Sequence, residues 1–442
     1  MSVYSGFRAG PLLWAAAGLL FLAACAAPAP AATSDRGATP TAAPNYPPPA
    51  TSQPGPLYPA PDYPPPTSAS PTAPPAATSP APPALSATPA VIVLLPIIGQ
   101  SESTPSPEPP AVAPPTATPP PWPEPLEGQT ASKLSVHTMN TNDPYVMEFI
   151  RRVKPRLVKS VGDVGWLREV KEVSPQTVTV GRLLAEQSEW ILTVDPATAG
   201  AAYVDLNAAV YAAHPFVDYW EGWNEFVPGS AERMRWFAQF EAARACQMQA
   251  RGWRAAVGGF STGVPEYALM ADFLPALEAA HRCGGLFHLH EYDSPTFECG
   301  VAVNVPDLIP GAPPIAVPAG PLALRYRFWY ETLLKPRGLG DLPLVISELG
   351  IDGVAPRGAC DDPGGLGWKP YADWWTSRGL GPDGPQAYVN VLSWYDAEMR
   401  RDPYVLGAAV FTANALDSGN EWHNFDLHPI LVPLAIYAAG QR

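Results

Sequence analysis

Between residues 131 and 442 a short apolar, β-branched run is followed by a helical stretch eight times over. The runs fall at 133–139, 156–162, 177–183, 217–225, 254–260, 286–292, 343–348 and 405–412. Helical spacing of apolar residues places helices near 143–154, 164–172, 201–213, 231–251, 266–282, 321–335, 385–400 and 429–438. Eight strand–helix units in roughly 310 residues is the rhythm of an α/β chain closed into a (β/α)8 TIM barrel. A doubly wound sheet is the competing arrangement. It usually carries a glycine-rich phosphate loop after its first strand, and none stands there. The long segments 293–320, 349–384 and 413–428 all follow strands. In a barrel they gather at the carboxyl rim, where active sites are built.

Two acids end such runs. Glu225 closes Trp220-Glu221-Gly222-Trp223-Asn224-Glu225, and Glu348 stands in Leu344-Val345-Ile346-Ser347-Glu348-Leu349-Gly350, 123 residues later. Alternation along a strand 217–225 puts Tyr219, Glu221, Trp223 and Glu225 on one face, with Glu225 last, over the barrel mouth. Asn224 beside it is placed to reach a substrate hydroxyl. Two carboxylates facing each other across a pocket are the minimum apparatus for cleaving a glycosidic bond. Trp166, Tyr267 and Trp422 fall in or beside rim segments, as do Trp368, Trp374 and Trp375, and flat side chains pack against the C–H faces of sugars. Trp166, Tyr267 and Trp422 are therefore expected to bind substrate.

No metal or other cofactor is expected. His288, His290 and Asp293 share one short stretch, but metal-dependent amidohydrolases carry their His-x-His on the first strand, which here offers only His137. Asp417, Asn420 and Glu421 offer at most a calcium loop. Net charge is −14 over the chain. Residues 1–25 contribute +1 and 26–128 contribute −5, leaving −10 for 129–442. An acidic domain without a Lys/Arg cluster speaks against nucleic acid as a partner and suits a neutral or cationic substrate. A monomer is the expected state.

A short basic start with Arg8 leads into the apolar core Leu12–Phe21, too short to span a bilayer and typical of a secretion signal. That segment ends Leu22-Ala23-Ala24-Cys25, which resembles a bacterial lipobox. The resemblance implies cleavage before Cys25, lipidation of its thiol and display outside a bacterial membrane. Residues 26–130 hold more than half of the 59 prolines, mixed with Ala, Thr and Ser, and read as a disordered, semi-rigid linker. Its extended reach is on the order of 300 Å. The organisation expected is thus 1–25 signal, 26–130 linker and 131–442 barrel. Cys246, Cys283, Cys299 and Cys360 remain, and four cysteines in an exported chain allow three pairings. The barrel reading favours Cys246–Cys283, between adjacent outer helices, and Cys299–Cys360, between neighbouring rim loops.

Trp223-Asn224-Glu225 at strand four, His290-Glu291-Tyr292 at strand six and Ser347-Glu348-Leu349-Gly350 at strand seven together resemble clan A of the retaining glycoside hydrolases, with its cellulase-like and xylosidase-like families. The resemblance implies that Glu225 is the general acid/base and Glu348 the nucleophile. It implies that Asn224 binds the sugar 2-hydroxyl, that Tyr292 hydrogen-bonds Glu348, and that His290 lines the pocket. Three positions depart from the pattern: Phe226 stands where proline is usual, strand two ends Lys159-Ser160-Val161-Gly162 without an arginine, and strand eight carries Phe411 in place of a tryptophan. The activity implied is retaining hydrolysis of O-glycosidic bonds in an oligo- or polysaccharide. The alternative is a barrel that keeps the sugar cleft without catalysis, a carbohydrate-binding module on a cell-surface stalk.

Overall fold

The computed structural model describes residues 120–139, 143–353, 360–413 and 421–441. Cys25, the linker up to residue 119, Asp417 and Asn420 lie outside the described residues. Eight strands form a closed barrel in sequence order, β1 (Leu134–Met139), β2 (Leu157–Val161), β3 (Val178–Arg182), β4 (Tyr219–Glu221), β5 (Ala255–Phe260), β6 (Leu286–Asp293), β7 (Leu344–Ile351) and β8 (Val405–Ala413). Every adjacent pair is parallel, and β1 closes on β8. The outer layer is α1 (Pro144–Val153), α2 (Leu167–Val173), α3 (Pro196–Ala213), α4 (Ala231–Ala250), α5 (Tyr267–Met270), α6 (Leu274–Arg282), α7 (Tyr326–Phe328), α8 (Ala372–Ser377), α9 (Gly384–Arg400) and α10 (Leu431–Ala439).

Helix starts follow local chemistry. The Asp143 carboxylate accepts from the Tyr145 amide at 2.7 Å ahead of Pro144, and Asp195 accepts from the Thr198 amide at 2.9 Å ahead of Pro196. An acceptor cap followed by proline is a strong helix start. The second cap begins α3 at Pro196, a turn and more before the 201 that apolar spacing suggests. The sixth helical stretch departs further: α7 runs into a π-helical turn, Trp329–Leu334.

Strand four is the larger correction. Only Tyr219–Glu221 pairs in the sheet, not 217–225. Buried Arg244 of α4 explains part of this, because it ties down the strand end from outside. It donates to the Trp220 carbonyl at 3.2 Å and to the Ala256 carbonyl, and it grips Glu241 at 2.6 Å. Gly222 clears room for that pair: a Cβ there would lie 2.6 Å from Glu241 Oε1.

Ahead of β1 the chain packs on the barrel. Leu126 N–H donates to the Arg152 carbonyl at 2.8 Å, and Thr130 Oγ1 donates to the Ala438 carbonyl at 2.6 Å. Both disulfides, Cys246–Cys283 and Cys299–Cys360, are formed. The first joins positions 37 residues apart on neighbouring outer helices. Replacing Cys246 and Cys283 together by serine is expected to lower the unfolding free energy by about 2–4 kcal/mol. Urea denaturation of the oxidised parent and the double variant, compared side by side, measures this. Among the described residues no helix is long and apolar enough to cross a membrane.

Candidate active site

The barrel interior is layered along its axis. Leu157, Val180, Tyr219, Ala256, Leu286, Val345 and Ala409 form an apolar floor. Two residues further along their strands, on the same face by alternation, stand Lys159, Glu221 and His288, all buried. The upper layer opens into a pocket of about 380 Å³ lined by Met139, Arg182, Asn224, Glu225, Ser261, Thr262, Tyr292, Glu348, Asp352, Leu366, Phe411, Trp422 and Phe425. A charged layer therefore separates an apolar floor from the pocket.

Glu348 reaches that pocket because of a bulge. Leu289 pairs with Ile346, but the next residue, His290, pairs with Glu348. Ser347 is thus an extra residue in β7, and such insertions re-aim side chains beside active sites. Leu344 and Ile346 pack outward in the main core, whereas Val345 belongs to the interior floor. Unbroken alternation would send Glu348 outward with Leu344 and Ile346. The bulge turns both Ser347 and Glu348 inward, and Ser347 Oγ lies 2.9 Å from His288 Nδ1. Gly350 then leaves space for Tyr292, whose Cε1 would stand 3.0 Å from a Cβ at that position.

Glu225 arrives by a different device. The strand has ended, and Trp223 does not share the face of Glu221. It turns outward onto α4, with ring centroids 5.8 Å from Trp236 and 4.6 Å from Phe240. Phe226 stacks on Phe237 at 4.0 Å. Two anchored aromatics thus flank Asn224 and Glu225, and the chain passes between them with Glu225 in the left-handed region, φ 47°. For a non-glycine residue this costs about 1 kcal/mol or more, strain that collects at functional sites. The aromatic at 226 takes an anchoring role by filling the α4 face.

The two carboxylates face each other with His290 between them. One oxygen of each and a ring nitrogen of His290 all lie within 4.8 Å of one another. His290 Nδ1 is 3.1 Å from Glu225 Oε1 and 3.4 Å from Glu348 Oε2. Tyr292 Oη donates to Glu348 Oε2 at 2.9 Å, and burial pushes that phenol up, so it remains a donor. Lys159 Nζ stands 3.2 Å and Arg182 Nη1 3.5 Å from Glu348 Oε1. Burial acts to raise the Glu348 carboxyl, but the fields of His290, Lys159 and Arg182 outweigh it and hold the group well below the usual carboxylate range. Glu225 is the more open of the two, its side chain 39% exposed, with Ser261 Oγ donating to it at 3.3 Å.

Other expected residues divide. Asn224, Trp422, His290 and Tyr292 gather at or beside the pocket, and Trp422 meets Phe411 edge-on at 5.8 Å, so an aromatic wall stands where strand eight lacks its tryptophan. Trp166 and Tyr267 are not among the lining residues. Trp166 is buried beneath the rim, its indole N–H donating to Ser160 Oγ at 2.9 Å, and Tyr267 packs against the core at the start of α5. Trp368 and Trp375 likewise stack on Tyr388 in the core. Aromatic type alone does not distinguish a sugar platform from a loop anchor.

Sequence reasoning missed Lys159, Arg182 and Glu221. Strand two has no arginine, and a lysine on β2 and an arginine ending β3 stand against Glu348. The available signal was a charged residue in or at the end of each of three short, mostly apolar strands, since a buried charge persists only with a partner. Glu225, His290 and Glu348 also have the spacing of a metal-ligand trio. Lys159 and Arg182, already on Glu348, make that site hostile to an added cation.

No family model and no curated protein matches this chain. Among solved structures it is similar to a family 39 glycoside hydrolase from the gut symbiont Bacteroides cellulosilyticus, at 12% identity and TM-score 0.46 over 72% of this chain and 66% of that one. It is also similar to a GH5-4 broad-specificity endoglucanase from an uncultured bacterium, at 13% identity and TM-score 0.38 over 71% of this chain and 97% of that one. A third is a family GH5 lichenase from a Caldicellulosiruptor species, at 14% identity and TM-score 0.38 over 68% and 84%. The chain spans just under two thirds of the first of these proteins, and the likeness to all three is one of fold.

Proposed function

We propose that this chain is an exported, lipid-anchored glycoside hydrolase that cleaves O-glycosidic bonds of an oligo- or polysaccharide with retention of configuration. The observation that carries the reading is the pair Glu225 and Glu348, opposed over one pocket with an oxygen of each within 4.8 Å. Retaining enzymes hold their carboxyl groups about 5–5.5 Å apart, whereas inverting enzymes need ~6.5–9.5 Å to admit a water. The asymmetry of the surroundings supports the division of roles. Glu348, held ionised by the groups packed on it, attacks the anomeric carbon. As the C–O bond to the leaving group breaks, Glu225 delivers its proton to the departing oxygen. Glu225, now a carboxylate, takes a proton from water; the hydroxyl bonds to the anomeric carbon and Glu348 leaves.

Substrate recognition falls to groups that the fold leaves open. Asn224 Oδ1 and Arg182 Nη1, the latter ion-paired with Glu348 at 3.5 Å, are buried at the pocket and make no hydrogen bond among the described residues, which suits them to sugar hydroxyls. Phe411, Phe425 and Trp422 supply an apolar wall for a ring face. Among the described lining residues three acids, Glu225, Glu348 and Asp352, stand with one cation, Arg182, which favours a neutral sugar over a uronide. Export and anchoring are supported by the apolar leader, by Cys25 at the end of its lipobox-like motif and by two formed disulfides.

The test is incubation with activated aryl glycosides and with plant and bacterial polysaccharides, following the first anomer released by proton NMR. Turnover with the substrate's own anomeric configuration is expected. Release of the opposite anomer removes Glu348 as nucleophile, and binding without turnover leaves a carbohydrate-binding barrel.

A further inference from the structure

Of the charged layer under the pocket the mechanism above uses only the Lys159 charge, which touches the nucleophile, and Glu221 and His288 take no part in it. Lys159 Nζ lies 3.0 Å from Glu221 Oε2 and 3.2 Å from Glu348 Oε1, so one buried cation is shared by two carboxylates. The other oxygen of Glu221, Oε1, is 3.4 Å from His288 Nδ1. That same nitrogen lies 2.9 Å from the hydroxyl of Ser347, the bulge residue that turns Glu348 inward. Glu221 is therefore coupled to Glu348 through the shared Lys159 charge, and His288 stands between Glu221 and the bulge. The geometry points to Glu221 and Lys159 as positioning residues for the proposed hydrolysis, with Glu221 setting how much of the Lys159 charge the nucleophile feels. This inference rests on the hydrolase reading and deepens it.

Stability alone does not ask for this layer. One step down the same three strands stand Leu157, Tyr219 and Leu286, which fill the interior without charge. Replacing a buried ion pair by apolar side chains of similar volume is often neutral or stabilising, so burying Lys159 and Glu221 is a poor route to a tighter core. The pair lies directly beneath Glu348, where its field acts on the group whose charge the first step needs.

Groups from the surrounding strands complete the environment of Glu348. His137 of β1 stands with Nε2 3.8 Å away and is held neutral by burial and by Lys159. Arg182 of β3 is 3.5 Å away, Glu225 faces it across the pocket, and His290 and Tyr292 of β6 lie 3.4 and 2.9 Å away. Asp352, just past β7, lines the same pocket, while β5 and β8 lead to Ser261 and Phe411. Burial holds His288 neutral, near 3, and although burial works to raise Glu221, the Lys159 charge beside it brings it to about 2. The fixed charges of the layer are thus one cation and one anion, with opposite effects on Glu348.

Opposite effects give a signature that a purely structural role does not share. Without the Glu221 charge, Glu348 feels Lys159 undivided, and its carboxylate ionises at lower pH and becomes a weaker nucleophile. Without the Lys159 charge, two buried acids face each other, and Glu348 holds its proton to higher pH. The experiment is the pH profile of kcat/KM for the full chain on an activated aryl glycoside that the parent hydrolyses, since its acid limb reports the nucleophile of the free enzyme. Glu221→Gln, nearly isosteric, should move the acid limb down by about one pH unit, and Lys159→Met should move it up by a similar amount. The double variant should return close to the parent. If Lys159→Met fails to fold, Glu221→Gln and the double variant carry the comparison. Coincident acid limbs in parent and Glu221→Gln, with only the melting temperature lowered, overturn the inference while leaving the hydrolase standing. Absence of turnover by the parent on every glycoside sinks the hydrolase reading itself.

Discussion

Glu348→Ala should lose turnover by roughly 10⁴–10⁶-fold, on good and poor leaving groups alike, because no group remains to form the covalent intermediate. The variant should also be rescuable. Removing the carboxylate opens a space flanked by Lys159 Nζ and Arg182 Nη1, which lie 3.2 and 3.5 Å from the oxygen that is lost. Two cations around a vacated anion site attract a small anion, so added azide should restore part of the activity and yield the glycosyl azide of inverted configuration. Thin-layer chromatography and NMR of the product identify it. Ordinary product at near-parental rate without azide would remove Glu348 from the role.

Glu225→Ala should divide substrates by leaving group. Protonation of the departing oxygen contributes about 10²–10⁴-fold, and only where the leaving group is a poor one. With a dinitrophenyl leaving group the first step should be nearly spared while the second, which needs Glu225 to activate water, becomes slow. Stopped-flow measurement should then show a burst of phenolate followed by slow turnover, with glycosyl-enzyme visible by intact-mass spectrometry. His290 lies 3.1 Å from Glu225 and cannot take over this role without moving away from Glu348, 3.4 Å on its other side. Equal losses on activated and unactivated substrates would contradict the acid/base role.

The extent to which the chain could be read in advance follows from the range of each interaction. The strands were legible because a strand buried on both faces must be apolar throughout, and eight such runs with helical spacing between them admit few closed arrangements. The disulfide partners were legible once the order of elements around the barrel was assumed, since Cys246 and Cys283 then lie on neighbouring helices. Strand four was less legible. Alternation counts residues as though the sheet continued, yet Trp223 and Phe226 are drawn to the aromatic face of α4, and that attraction ends the strand at Glu221. Trp166 shows a similar limit. Its place near a rim was readable, whereas its orientation was decided by Ser160 accepting the indole N–H.

Sequence by itself determined the eightfold alternation of elements and the two acids at strand ends, because periodicity and residue type are local properties. Tertiary structure alone decided how those acids meet. A one-residue bulge at Ser347 turns Glu348 inward, and a left-handed residue held between two anchored aromatics aims Glu225 across the mouth. The cations that keep Glu348 charged come from β2 and β3, far from it in sequence and within 3.5 Å in space. Closing the sheet makes those distances, since charge acts through space and no spacing along the chain records it.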